Sequence, residues 1–269
     1  MPEPHPWVLL RGLGREARHW GSLPGLLAAA TGSRIYTPDL PGNGRLWRQP
    51  SASSIAGQLR QLRLQLATPL SHGPVQVLAI SLGGMVALEW ATRHPEEVAR
   101  LALVNTSLAG LAAPWQRLRW QRYPALLRLL WQDAAMREHG ILQITSNLPV
   151  RRQAVLHDWQ QWQQACPVSA SNLLRQLAAA ARYRPPAAWP RCPALLLNSQ
   201  EDQLVHPRCS QRLAQASGWP LRLHPYAGHD LALDDPLWLA QQVAGWARHK
   251  AEPALAIEPG EYAAPPGAR

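Results

Sequence analysis

The feature that most constrains this chain is a junction. Val75-Gln76-Val77-Leu78-Ala79-Ile80 is a largely apolar run of strand length, and Ser81 follows it with no linker before helix-spaced residues begin at Gly83. A strand that turns this abruptly into a helix must pass through strained backbone, which tolerates only small residues two positions either side of the turn. Ala79 and Gly83 meet that demand. The turn projects Ser81 outward and aims the free N–H groups and positive end of the following helix at its oxygen. A serine so placed suits attack on an acyl carbon, because the oxyanion formed there meets donors already in position.

Around this junction, strand and helix patterns alternate. Trp7 to Leu10 reads as a buried strand, Trp20 to Ala30 as a helix, and Arg34 to Thr37 as a second strand closed by the turn-rich run Pro38 to Gly44. Ser54 to Ala67 is amphipathic, the helix Gly83 to Arg93 follows the serine, and Leu101 to Val104 is another strand. From Ser107 to about Pro186 the chain is helical in composition and has no strand-like run. Strand character resumes at Ala194 to Leu197 and Leu221 to Leu223, before a last helix from Pro236 to Trp246. Repeated strand–helix–strand units predict an α/β fold, with a mostly parallel sheet covered by helices on both faces. The expected organisation is a core of residues 1–106 and 188–250, an inserted helical cap over 107–187, and a flexible, Pro- and Ala-rich tail over 251–269.

A serine hydroxyl needs a base, and the base needs an orienting carboxylate. Of ten histidines, His229 stands out in the small-residue loop Ala227-Gly228-His229-Asp230, directly after one strand and before the last helix. His206 and His224 are its rivals, since both lie near the later loops of the sheet. For the carboxylate, Asp202 lies just past the carboxyl end of the strand Ala194 to Leu197, where such sheets gather ligand and catalytic groups. Glu201 is its neighbour and competitor. The order Ser81, Asp202, His229 is the chain order of hydrolases that carry a serine on a strand-to-helix elbow.

With these residues in place, the chain resembles the α/β-hydrolase superfamily over residues 7–110 and 190–248, and within it the serine esterases with a helical cap. Arg11-Gly12-Leu13-Gly14 and Asp39-Leu40-Pro41-Gly42-Asn43-Gly44 are similar to stretches of family esterases, as are Asp202-x-x-Val205 and Gly228-His229. The resemblance implies oxyanion donors at the N–H groups of Leu13 and Leu82 and no cofactor or metal. Arg11 departs from it, standing where the family usually has His. Hydrolysis of a carboxylic ester or thioester is the expected activity. A ligand receptor with negligible turnover, carbon–carbon bond hydrolysis and perhydrolysis use the same constellation. An aspartate-dependent dehalogenase or epoxide hydrolase is excluded by the serine at position 81.

Charge is concentrated in the inserted stretch. Between Ser107 and Ala187 there are ten arginines against three acids, a net +7 of the chain's +10. Two readings follow: a solvated helical face, or a platform for an acidic carrier such as acyl-carrier protein. The tryptophans interleaved there, among them Trp115, Trp131 and Trp159, fit packing or an apolar acyl pocket. No nucleic-acid recognition module is visible. No apolar run is long enough to span a bilayer. The polar, Pro-rich start and the three scattered cysteines (Cys166, Cys192 and Cys209) suggest neither a signal peptide nor a disulfide framework, so the cytoplasm is the expected location.

Overall fold

The computed structural model describes residues 4–129 and 131–248. The tail expected over 251–269 lies outside them. Six parallel strands form one sheet in the order β2-β1-β3-β4-β5-β6: β1 (Trp7–Leu10), β2 (Ile35–Tyr36), β3 (Val75–Ile80), β4 (Val98–Val104), β5 (Ala194–Ser199) and β6 (Leu221–His224). α1 (Leu23–Thr31) lies between the first two strands. α2 (Ile55–Gln65) and α3 (Ala67–Ser71) precede β3, and α4 (Leu82–Arg93) follows it. α10 (Arg208–Ser217) links β5 to β6, and α11 (Leu231–Asp234) and α12 (Pro236–Arg248) close the chain.

Strand alternation explains why the helices divide between two faces. Val8, Leu10, Val77, Ala79, Leu101, Leu103 and Leu196 pack with residues of α2, α4 and α10 on one side. Trp7, Leu9, Leu78, Ile80, Val104 and Leu197 pack with Leu23 and Leu27 of α1 and Leu239 and Val243 of α12 on the other. β1, β3 and β5 are buried along their whole length, which is why they read as largely apolar runs; Gln76 interrupts β3, and β5 runs on past Leu197 through the buried polar Asn198 and Ser199.

β2 and β3 flank β1 on opposite sides, so the chain reverses direction across the sheet between β1 and β3. A crevice for ligands opens beyond the carboxyl ends of strands at such a reversal. Ser81 follows β3 there, and the loop Arg11–Gly14 follows β1. Between β4 and β5 the described residues form five α-helices: α5 (Pro114–Arg117), α6 (Tyr123–Leu129), α7 (Ala134–Thr145), α8 (Pro149–Ala165) and α9 (Ala170–Arg182).

Some boundaries differ from the sequence reading. A 3-10 turn at Ala17–Trp20 precedes α1, which begins only at Leu23, with Pro24 in its first turn. The second strand shrinks to Ile35–Tyr36 at the sheet edge, and α4 begins at Leu82 rather than Gly83. β4 begins at Val98, three residues before the expected start, with the half-buried Ala99 and Arg100 ahead of its apolar run.

Candidate active site

Ser81 has φ 56° and ψ −117°, and with Asn105 it is one of two non-glycine residues at positive φ among the described residues. Such backbone costs on the order of 1–3 kcal/mol and persists only where its surroundings hold it. Here they do. The Ser81 N–H donates to the Val104 carbonyl at 2.9 Å, and the Ser81 carbonyl accepts from Thr106 Oγ1 at 2.8 Å. Two glycines permit the close approach of neighbouring loops. A Cβ at Gly83 would lie 2.5 Å from the carbonyl oxygens of both Leu10 and Arg11, and one at Gly12 would lie 3.3 Å from Ser81 Cβ.

Asp202 and His229 meet directly. His229 Nδ1 is 2.7 Å from Asp202 Oδ2, and both residues are buried. The other carboxylate oxygen, Oδ1, accepts from the N–H groups of Leu204 and Val205 at 2.8 and 2.9 Å, so the carboxylate cannot turn away. Glu201 is exposed and makes no such contact. The rival histidines have other partners. His224 is fully buried, with Nε2 3.2 Å from Asp235 Oδ2 and Nδ1 accepting from the Ala227 N–H. His206 Nδ1 accepts from the Arg208 N–H near the surface.

Among the described residues no hydrogen bond joins Ser81 to His229; the end of β4 brings the two loops together instead. Asn105, fully buried and one residue from the Ser81-bonded Thr106, donates to the His229 carbonyl at 2.9 Å and to Ser199 Oγ at 3.1 Å. Its Oδ1 accepts from the Ser199 N–H at 2.8 Å. Asn105 thus ties β4, β5 and the histidine loop together. In the sequence Asn105 is marked only by following a strand, so its part in the site is not legible there.

The N–H of Leu13 lies on the loop that follows β1, and that of Leu82 directly follows the serine. Leu82 opens α4, where helix N–H groups lack partners within the helix. The next N–H after Leu13, that of Gly14, is already taken by Gln176 Oε1 at 2.9 Å. Arg11, where the resembled family has His, is not adrift. Its guanidinium grips Asp230 with two hydrogen bonds of 3.0 and 2.6 Å and lies over Trp20. Burial pushes the Asp230 carboxyl up, but Arg11 and then Arg15 outweigh it and hold that carboxyl below its ordinary value.

The helical insertion is pinned to these loops. The Asp234 carboxylate accepts from Ser146 Oγ, from the Asn147 N–H at 3.0 Å and from the Gly228 N–H at 2.7 Å. Burial nonetheless raises its pKa above the ordinary value. Arg15 pairs with the buried Glu138 of α7 at 2.7 Å, and His19 packs edge-on against both Trp159 and Trp162 of α8. Burial, then the nearby Arg15 and Arg11, hold His19 neutral, well below the ordinary histidine value. The arginines of the insertion divide into two groups. Arg117, Arg119, Arg122, Arg137 and Arg152 donate to the protein's own carbonyl groups, that of Asp202 among them. Arg128, Arg151, Arg175, Arg182 and Arg184 are exposed.

For a metal, the described residues bring His94, Glu96 and Glu97 within reach of one another, but Glu97 is held by Arg63 and by Trp90 Nε1. The cluster lies at the far end of α4 from Ser81. No helix among the described residues is long and apolar enough to cross a membrane.

A parallel sheet with helices on both faces, a serine at positive φ after its third strand and a buried Asp–His contact beyond its later strands define an α/β hydrolase. The chain belongs to the alpha/beta hydrolase family, whose model matches residues 7–242. It is 37% identical over 114 residues to a pimeloyl-[acyl-carrier protein] methyl ester esterase of Aromatoleum aromaticum, covering 40% of this chain and 42% of that protein. It is also 28% identical over 243 residues, 89% of each chain, to a Serratia proteamaculans protein named "Putative carbamate hydrolase RutD". Among solved structures, the enol-lactonase of Burkholderia xenovorans aligns with a TM-score of 0.73 at 19% identity, covering 91% of this chain and 92% of the other. These relatives support a hydrolase, and the structural neighbour supports the fold.

Proposed function

We propose that the protein is a serine esterase that hydrolyses carboxylic esters or thioesters of medium-length acyl chains through an acyl-enzyme on Ser81. The observation that carries this reading is the buried 2.7 Å contact of His229 with Asp202, in loops tied through Asn105 to the end of β4 beside the strained Ser81. His229 Nδ1–H donates to Asp202, which leaves Nε2 to take the proton that Ser81 Oγ releases as it attacks the acyl carbon. The N–H groups of Leu13 and Leu82 receive the oxyanion. Collapse breaks the bond to the leaving alcohol or thiol, which takes the proton from Nε2. Water then adds to the acyl-enzyme by the same route and frees the acid and the serine. This scheme draws on no cofactor or metal.

Residues 107–187 serve as a cap that sets the substrate, and its exposed arginines dock an acidic acyl carrier. The methyl ester esterase relatives support a carrier-bound substrate, although the match spans less than half of their length. Carbamate hydrolysis is the second reading, favoured by the greater extent of the match to the protein named RutD. It uses the same attack on a carbonyl carbon.

Steady-state turnover of p-nitrophenyl esters, of free and carrier-bound methyl esters, and of an aryl carbamate tests these readings. Sustained turnover of esters, fastest on carrier-bound ones, is the expected result. Turnover confined to the carbamate overturns the ester assignment, and one burst with no steady state makes the protein a ligand receptor.

A further inference from the structure

We propose that Arg11 and Asp230 act as one positioning pair, locking the loop that presents the Leu13 N–H to the loop that presents His229. This rests on the serine esterase reading above. Arg11 opens the loop Arg11-Gly12-Leu13-Gly14, and Asp230 directly follows His229, so the two residues stand 219 positions apart in the chain. Their side chains meet fork to fork at 3.0 and 2.6 Å, each 4% exposed. Bidentate geometry fixes orientation as well as distance, which a single hydrogen bond does not.

Each partner is held from its other side. The Arg11 guanidinium stands 4.8 Å from the Trp20 ring centroid, and its carbonyl lies against Gly83, on the helix that begins one residue after Ser81. The Asp230 N–H donates to the Thr145 carbonyl of α7 at 2.7 Å. A displacement of either loop would therefore have to break this pair or carry the other loop with it. The two loops bear the oxyanion donor and the base, whose mutual placement decides how well the transition state is met while leaving ground-state binding nearly unchanged. Arg11 also neutralises Asp230, which would otherwise stand as a second buried anion one residue from His229.

The test measures kcat and KM for a p-nitrophenyl ester in Arg11→Lys, Arg11→Met and Asp230→Asn. Active sites are counted by exhaustive fluorophosphonate labelling, so that unfolded protein does not enter kcat. Asp230→Asn and Arg11→Met should lose on the order of 10²-fold in kcat with KM within about threefold of the parent. Arg11→Lys, which keeps the charge and loses the fork, should fall between them and the parent. If Arg11→Met does not fold, the other two variants carry the comparison. A kcat per labelled site within twofold of the parent in both Asp230→Asn and Arg11→Lys, whatever the melting temperature does, overturns the proposal. Ser81→Ala is run beside them: residual turnover there defeats the esterase reading itself and is distinguishable from failure of the pair.

Discussion

Replacing Asp202 by Asn probes the candidate site with an almost isosteric change. The two carboxylate oxygens have different partners: Oδ1 accepts from two backbone N–H groups, and Oδ2 faces His229 Nδ1. An asparagine must place its carbonyl toward the two N–H groups, because an NH₂ there would leave three buried donors facing one another. Its NH₂ then points at His229 Nδ1 and donates to it, which forces the ring proton onto Nε2. That tautomer cannot take the proton from Ser81. The expected loss is about 10⁴-fold in kcat, the size seen when this change is made in a serine protease triad, or about 5.5 kcal/mol of barrier. KM should move little. Glu201→Gln, at an exposed side chain, should stay within about twofold. The assay is initial-rate hydrolysis of a p-nitrophenyl ester at fixed pH, with circular dichroism to confirm the fold. A kcat for Asp202→Asn within tenfold of the parent would refute the reasoning, as would a larger loss in Glu201→Gln.

Gly83→Ala should destabilise the fold by about 1–3 kcal/mol, even though alanine is the better helix former, because the new methyl meets two backbone carbonyls at 2.5 Å; an unchanged or raised melting temperature would contradict this. His19 is held neutral in the fold but takes a proton in the unfolded chain once the pH falls below about 6.5, so the unfolded state binds more protons there. Stability should therefore fall on acidification, with a slope from this residue that approaches about 1.4 kcal/mol per pH unit toward pH 5, and His19→Gln should flatten urea midpoints measured between pH 6.5 and 5. Reversing Arg128, Arg151, Arg175 and Arg182 to Glu should raise KM for a carrier-bound ester at least about tenfold and leave a free ester unchanged; equal effects on both would remove the docking role.

The sheet was readable because parallel strands buried on both faces leave largely apolar runs; Val75–Ile80 is observed with the predicted limits despite Gln76. α10 is not legible as a helix from the sequence, since only Cys209, Ser210 and Leu213 of its ten residues are buried and its apolar stripe is thin. At the site, residue type and position after a strand singled out Ser81, Asp202 and His229, and the structure brings the last two into contact. What holds them was not legible. The Arg11–Asp230 and Asn105–His229 contacts join residues more than a hundred positions apart, and no local pattern announces them. The same holds for charge: composition counts ten arginines in the insertion, but only the fold tells which of them are bound to its own carbonyls.

The central claim is that Ser81 is the nucleophile, and covalent capture tests it most directly. After reaction with a fluorophosphonate, peptide mass mapping should place a single adduct on Ser81. Ester turnover should fall in proportion to labelling, and Ser81→Ala should neither label nor turn over. An adduct on another residue, or label and turnover that persist undiminished in Ser81→Ala, would contradict it.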